Sequence, residues 1–141
     1  MKFYFLILIV CLITFSCKKA KKESIWECDS TQFLDSTAIS NKIAGSWLWT
    51  KQLCGDGAGK IISANKNVKV NFYLNKTFTV MNNTSIITQG NWDLKIVDTN
   101  SWGLDLTSSS EYLYGRILFC NSQIMFNNRY IDGCDNVFVK E

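Results

Sequence analysis

The sequence contains no histidine and no proline. Without histidine there is no imidazole to serve as general base or metal ligand near neutral pH. Ser-His-Asp and Cys-His catalysis are therefore excluded, and so are the usual histidine-containing zinc sites. Without proline, the turns fall to glycine, asparagine, aspartate and serine. No Cys-x-x-Cys pair is present either, and that spacing is how thiolates most often hold zinc. We expect no metal and no cofactor. The run Cys54-Gly55-Asp56-Gly57-Ala58-Gly59-Lys60 has incomplete phosphate-loop spacing, and Ile61 stands where Ser or Thr is required. It reads as a flexible loop. Asp56, Asp105 and Glu111 are scattered, with nothing in the sequence to pair them. No catalytic constellation is legible, and the chain is not read as an enzyme.

What is present is a globular composition. The chain has 141 residues, 47% of them hydrophobic and 13% aromatic, which is room for one domain. Its formal net charge is +3. Lys2, Lys18, Lys19, Lys21 and Lys22 all lie near the N-terminus, and from Ser24 onward ten Lys/Arg face eleven Asp/Glu. The folded part therefore lacks the basic surface that nucleic acid demands.

Met1-Lys2 gives a positive start, Phe3 to Phe15 is almost wholly apolar, and polarity changes after Ser16-Cys17. A transmembrane helix needs ~20 apolar residues. This shorter run suits a signal helix, residues 1–16. The segment Ile13-Thr14-Phe15-Ser16-Cys17 resembles a bacterial lipobox, and the ending Ser-Cys-Lys-Lys resembles lipoproteins of the Bacteroidetes group. The resemblance implies cleavage before Cys17, acylation of its thiol with chains such as palmitate, and anchoring to a membrane. An ordinary cleaved signal or an uncleaved anchor is the alternative. Surface-exported lipoproteins of that group tend to carry acidic residues just after the cysteine; the residues after Cys17 are basic, so the resemblance implies the outer membrane with the domain facing the periplasm.

Residues 17–40 are polar without a sustained period and read as the lipidated cysteine and a tether. Its lysines are either solvated or in contact with anionic headgroups. Asp29-Ser30-Thr31 and Asp35-Ser36-Thr37 repeat a tripeptide that resembles the O-glycosylation acceptor of Bacteroidetes.

Over residues 41–141 the dominant signal is alternation. Strands are expected from Ser46 to Leu53, Val68 to Leu74, around Phe78 and Val80, Ile86 to Ile96, Trp102 to Thr107, Tyr112 to Cys120, Gln123 to Phe126, and Cys134 to Lys140. Eight antiparallel strands with short turns suit an up-and-down β-barrel. A two-sheet sandwich would need longer crossovers.

Gly45-Ser46-Trp47 at the start of the first strand resembles the lipocalin superfamily. The resemblance implies that Trp47 closes the narrow end of the barrel under a basic residue from late in the chain. Lys140 is the positional match and Arg116 a second candidate. It also implies a membrane-anchored binder of a small hydrophobic or amphipathic ligand, of unknown oligomeric state. A filled barrel with a structural or protein-interaction role is the alternative. If Trp47 faces inward, so should Trp49 and Lys51, joined by Phe72, Phe78, Trp92, Trp102, Tyr112 and Tyr114. These residues line either a cavity or a packed core.

Six cysteines are present. Cys11 leaves with the signal and Cys17 is lipidated. Cys28, Cys54, Cys120 and Cys134 remain, an even number in an oxidising compartment, which favours two disulfides. In an eight-stranded meander Cys28 and Cys120 lie at one end, Cys54 and Cys134 at the other. A strand spans roughly 25 Å, and disulfides need Cα atoms about 5–6 Å apart. Only Cys28–Cys120 and Cys54–Cys134 join like ends.

Overall fold

In the chain from Val68 to Phe72 the even-numbered residues Val68, Val70 and Phe72 are buried while Lys69 and Asn71 are half-buried. This is the alternation of a strand with one face on a core. A computed structural model describes residues 28–31, 34–55, 59–98 and 100–141. The expected signal helix, Cys17 and Asp56 lie outside the described residues. The elements are β1 (Asp29–Ser30), α1 (Ser36–Ile43), β2 (Gly45–Cys54), β3 (Lys60–Ser63), β4 (Val68–Phe72) and β5 (Thr77–Asn82). There follow β6 (Ser85–Val97), β7 (Ser101–Leu106), β8 (Arg116–Cys120), β9 (Gln123–Asn127), a 3₁₀ turn (Arg129–Ile131) and β10 (Asp135–Lys140).

Eight strands form a nearly closed antiparallel barrel in the order β8-β9-β10-β2-β4-β5-β6-β7. Neighbours in that order are sequential except at β2–β4, where β3 intervenes in the chain, and at the closure of β10 on β2. The fold is the expected eight-stranded meander. Two short strands stand outside it: β1 pairs with the edge of β8, and β3 pairs with the far half of β2 beyond β4. Both disulfides join the expected partners, Cys28–Cys120 and Cys54–Cys134, with Cα atoms 4.1 and 4.3 Å apart.

The one seam lies between β7 and β8, which run side by side without strand pairing. It is closed by the chain that enters the domain. Thr31, 1% exposed, donates its hydroxyl to the Ile117 carbonyl of β8 and accepts the Trp102 N–H of β7. The Trp102 indole donates to the Leu34 carbonyl. Further along the seam an ion pair joins Asp98 to Arg116. Gly103 passes so close to Gly115 that a Cβ on it would lie 2.8 Å from the Gly115 carbonyl.

Three features depart from the sequence reading. The polar segment expected to run to residue 40 as a tether is packed well before that point. Its helix α1 puts Ile39 and Ile43 at 0% exposure inside the barrel. The helix is capped by the Asp35 carboxylate, which accepts the Ala38 N–H. Two turns of helix bury only an i, i+4 pair, too little to make a visible period. The strand expected from Tyr112 starts only at Arg116. Gly115, at φ +101°, breaks the extended run.

The third departure is in β2. Its register against β10 shifts between Val137 and Phe138, so Trp49 faces Phe138 but Lys51 faces Val137. Thr50 is the extra residue of a β-bulge, and its hydroxyl donates to the Val137 carbonyl. A one-residue shift exchanges the faces of everything beyond it. Lys51 and Leu53 therefore point outward, and Gln52 takes the inward place. Leu53 packs on the outer face with Met125 and Val137 beside Cys28 and Cys120.

Candidate functional site

The barrel interior is filled by aromatic side chains from facing strands. Phe72 is the hub, with its ring 6.4 Å from Phe78, 5.7 Å from Trp92 and 6.5 Å from Phe126. Phe126 in turn meets Phe138 edge-on at 5.8 Å. These are the tilted and T-shaped arrangements that ring quadrupoles favour. Two indole N–H groups within this core are satisfied: Trp92 donates to the Thr77 carbonyl and Trp49 to the Asn136 side chain.

At one end α1 plugs the barrel and Trp47 lies beside it. The Trp47 indole donates to the Ile43 carbonyl at 2.6 Å, the last residue of the helix. The Lys140 ammonium sits 5.2 Å from the centre of the Trp47 ring, within cation–π range. Gly45, at φ +127°, leaves room for that lysine, because a Cβ there would lie 3.2 Å from Lys140 Cε. Two more lysines cover rings at this level, Lys76 over Trp92 at 4.1 Å and Lys42 over Phe119 at 4.6 Å. Arg116 lies elsewhere, with its guanidinium 4.1 Å from the Tyr130 ring.

At the other end the chain between β7 and β8 turns into the mouth. Tyr112 meets Trp49 edge-on at 5.2 Å, and Asn136 donates to the Glu111 carbonyl. Ser110, Tyr112 and Leu113 are buried there. What is left open is a recess of about 240 Å³ lined by Trp49, Gln52, Asn65, Lys66, Glu111 and Tyr112. Burial pushes the Tyr112 phenol up to about 12, helped by its hydrogen bond to Glu111 and by the charge on that carboxylate.

Of the residues expected to line a cavity, Trp49, Phe72, Phe78, Trp92 and Tyr112 do point inward, and they touch one another across the axis as core. Trp102 packs against that core from the seam. Lys51 is on the outer face because of the Thr50 bulge. Tyr114 is 48% exposed, since the chain around it is not a strand. It borders an outer groove of about 390 Å³ with Lys95, Asp105, Asn128, Tyr130 and Ile131.

Sequence reasoning missed Asp135. Its carboxylate is fully buried and accepts four bonds, from Asn127 Nδ2, the N–H groups of Asn128 and Arg129, and Arg129 Nε at 2.6 Å. It ties the 3₁₀ turn to the start of β10, next to Cys134. The turn signal Asp132-Gly133 was visible nearby, but nothing in the sequence marks the next aspartate as buried. Among the described residues no group of three or more Cys, Asp or Glu is placed to hold a metal ion.

Comparison of the chain with protein-family models, with curated proteins and with solved structures gives no match. The likeness to lipocalins therefore stands on the geometry, which is compatible with that fold: an eight-stranded meander barrel with Gly45, Trp47 and Lys140 clustered at one end.

Proposed function

We propose that this protein is a membrane-anchored, extracytoplasmic lipoprotein whose lipocalin-like barrel is a rigid scaffold for protein contact. The carrying observation is the unbroken chain of ring contacts from Phe78 through Phe72 and Phe126 to Phe138. A small hydrophobic ligand would need the space those rings occupy. Helix α1 at one end and Tyr112 at the other support the same reading, because both inserts bury apolar side chains where a ligand would enter. The recess at the mouth is bordered by Gln52, Asn65, Lys66 and Glu111, which suits water or a small polar molecule more than a lipid.

The anchored, exported location draws its support from the lipobox-like ending at Cys17 and from two disulfides, which persist in oxidising compartments. Anchoring through Cys17 holds the domain at the envelope, and the outer surface then does the work.

Native mass spectrometry of the full chain, extracted in mild detergent from the envelope of a producing bacterium, tests both parts. The expected mass is the polypeptide from Cys17 plus its acyl groups, two disulfides and nothing else. A stoichiometric apolar molecule that survives desalting would overturn the filled-barrel reading. An N-terminus without acylation would overturn the anchor.

A further inference from the structure

The mouth of the barrel brings together polar groups that the fold itself does not use. The Thr50 bulge turns Gln52 inward, and a bulge beside a cleft commonly re-aims a side chain into it. Asn65 and Lys66 lie in the turn between β3 and β4. That turn is held at both ends, by the Ala64 N–H on the Thr50 carbonyl and by the Asn83 N–H on the Asn67 carbonyl, each at 2.9 Å. Glu111 comes from the chain between β7 and β8. Its backbone carbonyl accepts from Asn136, whose side chain also accepts the Trp49 indole N–H. One buried amide therefore fixes the aromatic wall and the acidic wall of the mouth together.

All of these residues border the recess of about 240 Å³. Among the described residues, the side chains of Gln52, Asn65 and Lys66 have no hydrogen-bond or ion-pair partner. The Glu111 carboxylate bonds the Tyr112 phenol and keeps further acceptor capacity. Lys66 and Glu111 share the recess but do not pair with each other. Opposite charges held apart across one small space call for a molecule that carries both. The recess is smaller than the roughly 300–1,000 Å³ of sites for drug-sized ligands, which limits its occupant to one small metabolite.

We infer that this recess binds a single α-amino acid with an uncharged polar side chain, its carboxylate on Lys66 and its ammonium on Glu111. The amides of Gln52 and Asn65 each offer a donor and an acceptor, which suits a hydroxyl or amide side chain and leaves a third charge without a partner. Trp49 and Tyr112 form the apolar floor. The recess lies above the packed rings, so the inference goes beyond the protein-contact reading and holds with the barrel filled. Contacts to exposed charges are individually weak, so the ligand exchanges freely and leaves on desalting.

Titration of the full chain in mild detergent, with nitrogen-labelled tryptophan and the indole N–H signals followed by NMR, tests it. The probes are serine, threonine, asparagine and glutamine, each beside its N-acetyl and its carboxamide form, with glucose as the uncharged control. Shifts are followed to about 30 mM, well past the affinity of about 1 mM expected for a ligand held by a few exposed charged contacts. At least one of the four amino acids should move the Trp49 signal saturably while Trp47 and Trp92 stay in place. Its N-acetyl and carboxamide forms should each bind about tenfold more weakly, having lost one charge-assisted contact. Lys66→Met should make the amino acid and its carboxamide bind alike, and Glu111→Gln should do the same for the amino acid and its N-acetyl form. Unchanged Trp47 and Trp92 signals show that both variants are folded. No saturable Trp49 shift with any of the four, glucose or a singly charged form binding as well as the amino acid, or both variants keeping the full preference would each overturn the inference.

Discussion

Thr31→Val is the sharpest probe of how the barrel closes. Valine matches threonine in shape, so packing at this 1%-exposed position is kept while the hydroxyl is lost. Two groups then lose their partner: the Ile117 carbonyl on β8 and the Trp102 N–H on β7. A buried polar group left unsatisfied costs about 1–3 kcal/mol. The Trp102 N–H is only partly buried and sits at the low end, so the sum is about 2–4 kcal/mol. Against a total stability of roughly 5–15 kcal/mol for a domain of this size, that is a large fraction. Equilibrium urea unfolding under oxidising conditions, followed by tryptophan fluorescence, measures it. Thr31→Ser keeps the hydroxyl and loses one methyl, about 0.8 kcal/mol. The expected order is wild type, then Ser, then Val well below. A loss under about 0.5 kcal/mol for Val, or equal losses for the two variants, would refute the idea that this hydroxyl bridges the seam.

Three more outcomes follow from the same contacts. Replacing Cys54 and Cys134 together by serine opens a link across 80 residues of sequence and should lower stability by about 2–4 kcal/mol in denaturant titration, with the fold retained. Asp135→Asn removes the charge facing Arg129 in a fully buried site and should cost about 3 kcal/mol; the same titration checks it, and Asp132→Asn nearby should cost far less. The Tyr112 proton, held to about 12 in the folded protein against about 10 in an unfolded chain, makes the native state the better proton binder between those values. Stability should therefore be unaffected by this group below pH ~10 and fall as pH rises from ~10 to ~12, a slope that Tyr112→Phe removes.

Much of this architecture can be read from residue order, and the failures have physical causes. Alternation in Val68–Phe72 is plain because that strand runs without interruption from turn to turn. The disulfide pairing is legible for a related reason: chain direction reverses at each turn, so counting strands locates each cysteine at an end. Lys51 was misplaced because a bulge has no sequence signature at Thr50. Alternation counted from Trp47 is right up to Trp49 and inverted afterwards. Tyr114 failed at Gly115, where the alternation Tyr112, Tyr114 matches a strand that the backbone does not make. α1 was invisible because Ser36–Ile43 contributes only Ile39 and Ile43 to the core. The filled interior lay beyond the sequence for a different reason. The same aromatic residues pointing inward can line a space or close it, and only the distances between their rings decide.

The seam and the proposed anchor meet in one segment. Any pull through a lipid on Cys17 would reach the described domain at Cys28. There β1 offers only two paired residues against β8, a weak attachment on its own. The Cys28–Cys120 bond carries the load past β1 into the end of β8, which is paired with β9 over all of Arg116 to Cys120. Thr31 and Leu34, which hold β7 to β8 through Trp102, lie on the domain side of that bond. The disulfide thus shields the seam from the tether. With it reduced, tension would fall first on the short β1 pairing and then on the Thr31 hydroxyl, whose loss opens the barrel at its one unpaired junction. The residues that would join the domain to the proposed anchor are the same ones that complete the barrel, since Thr31 bridges β7 and β8 and α1 is packed inside.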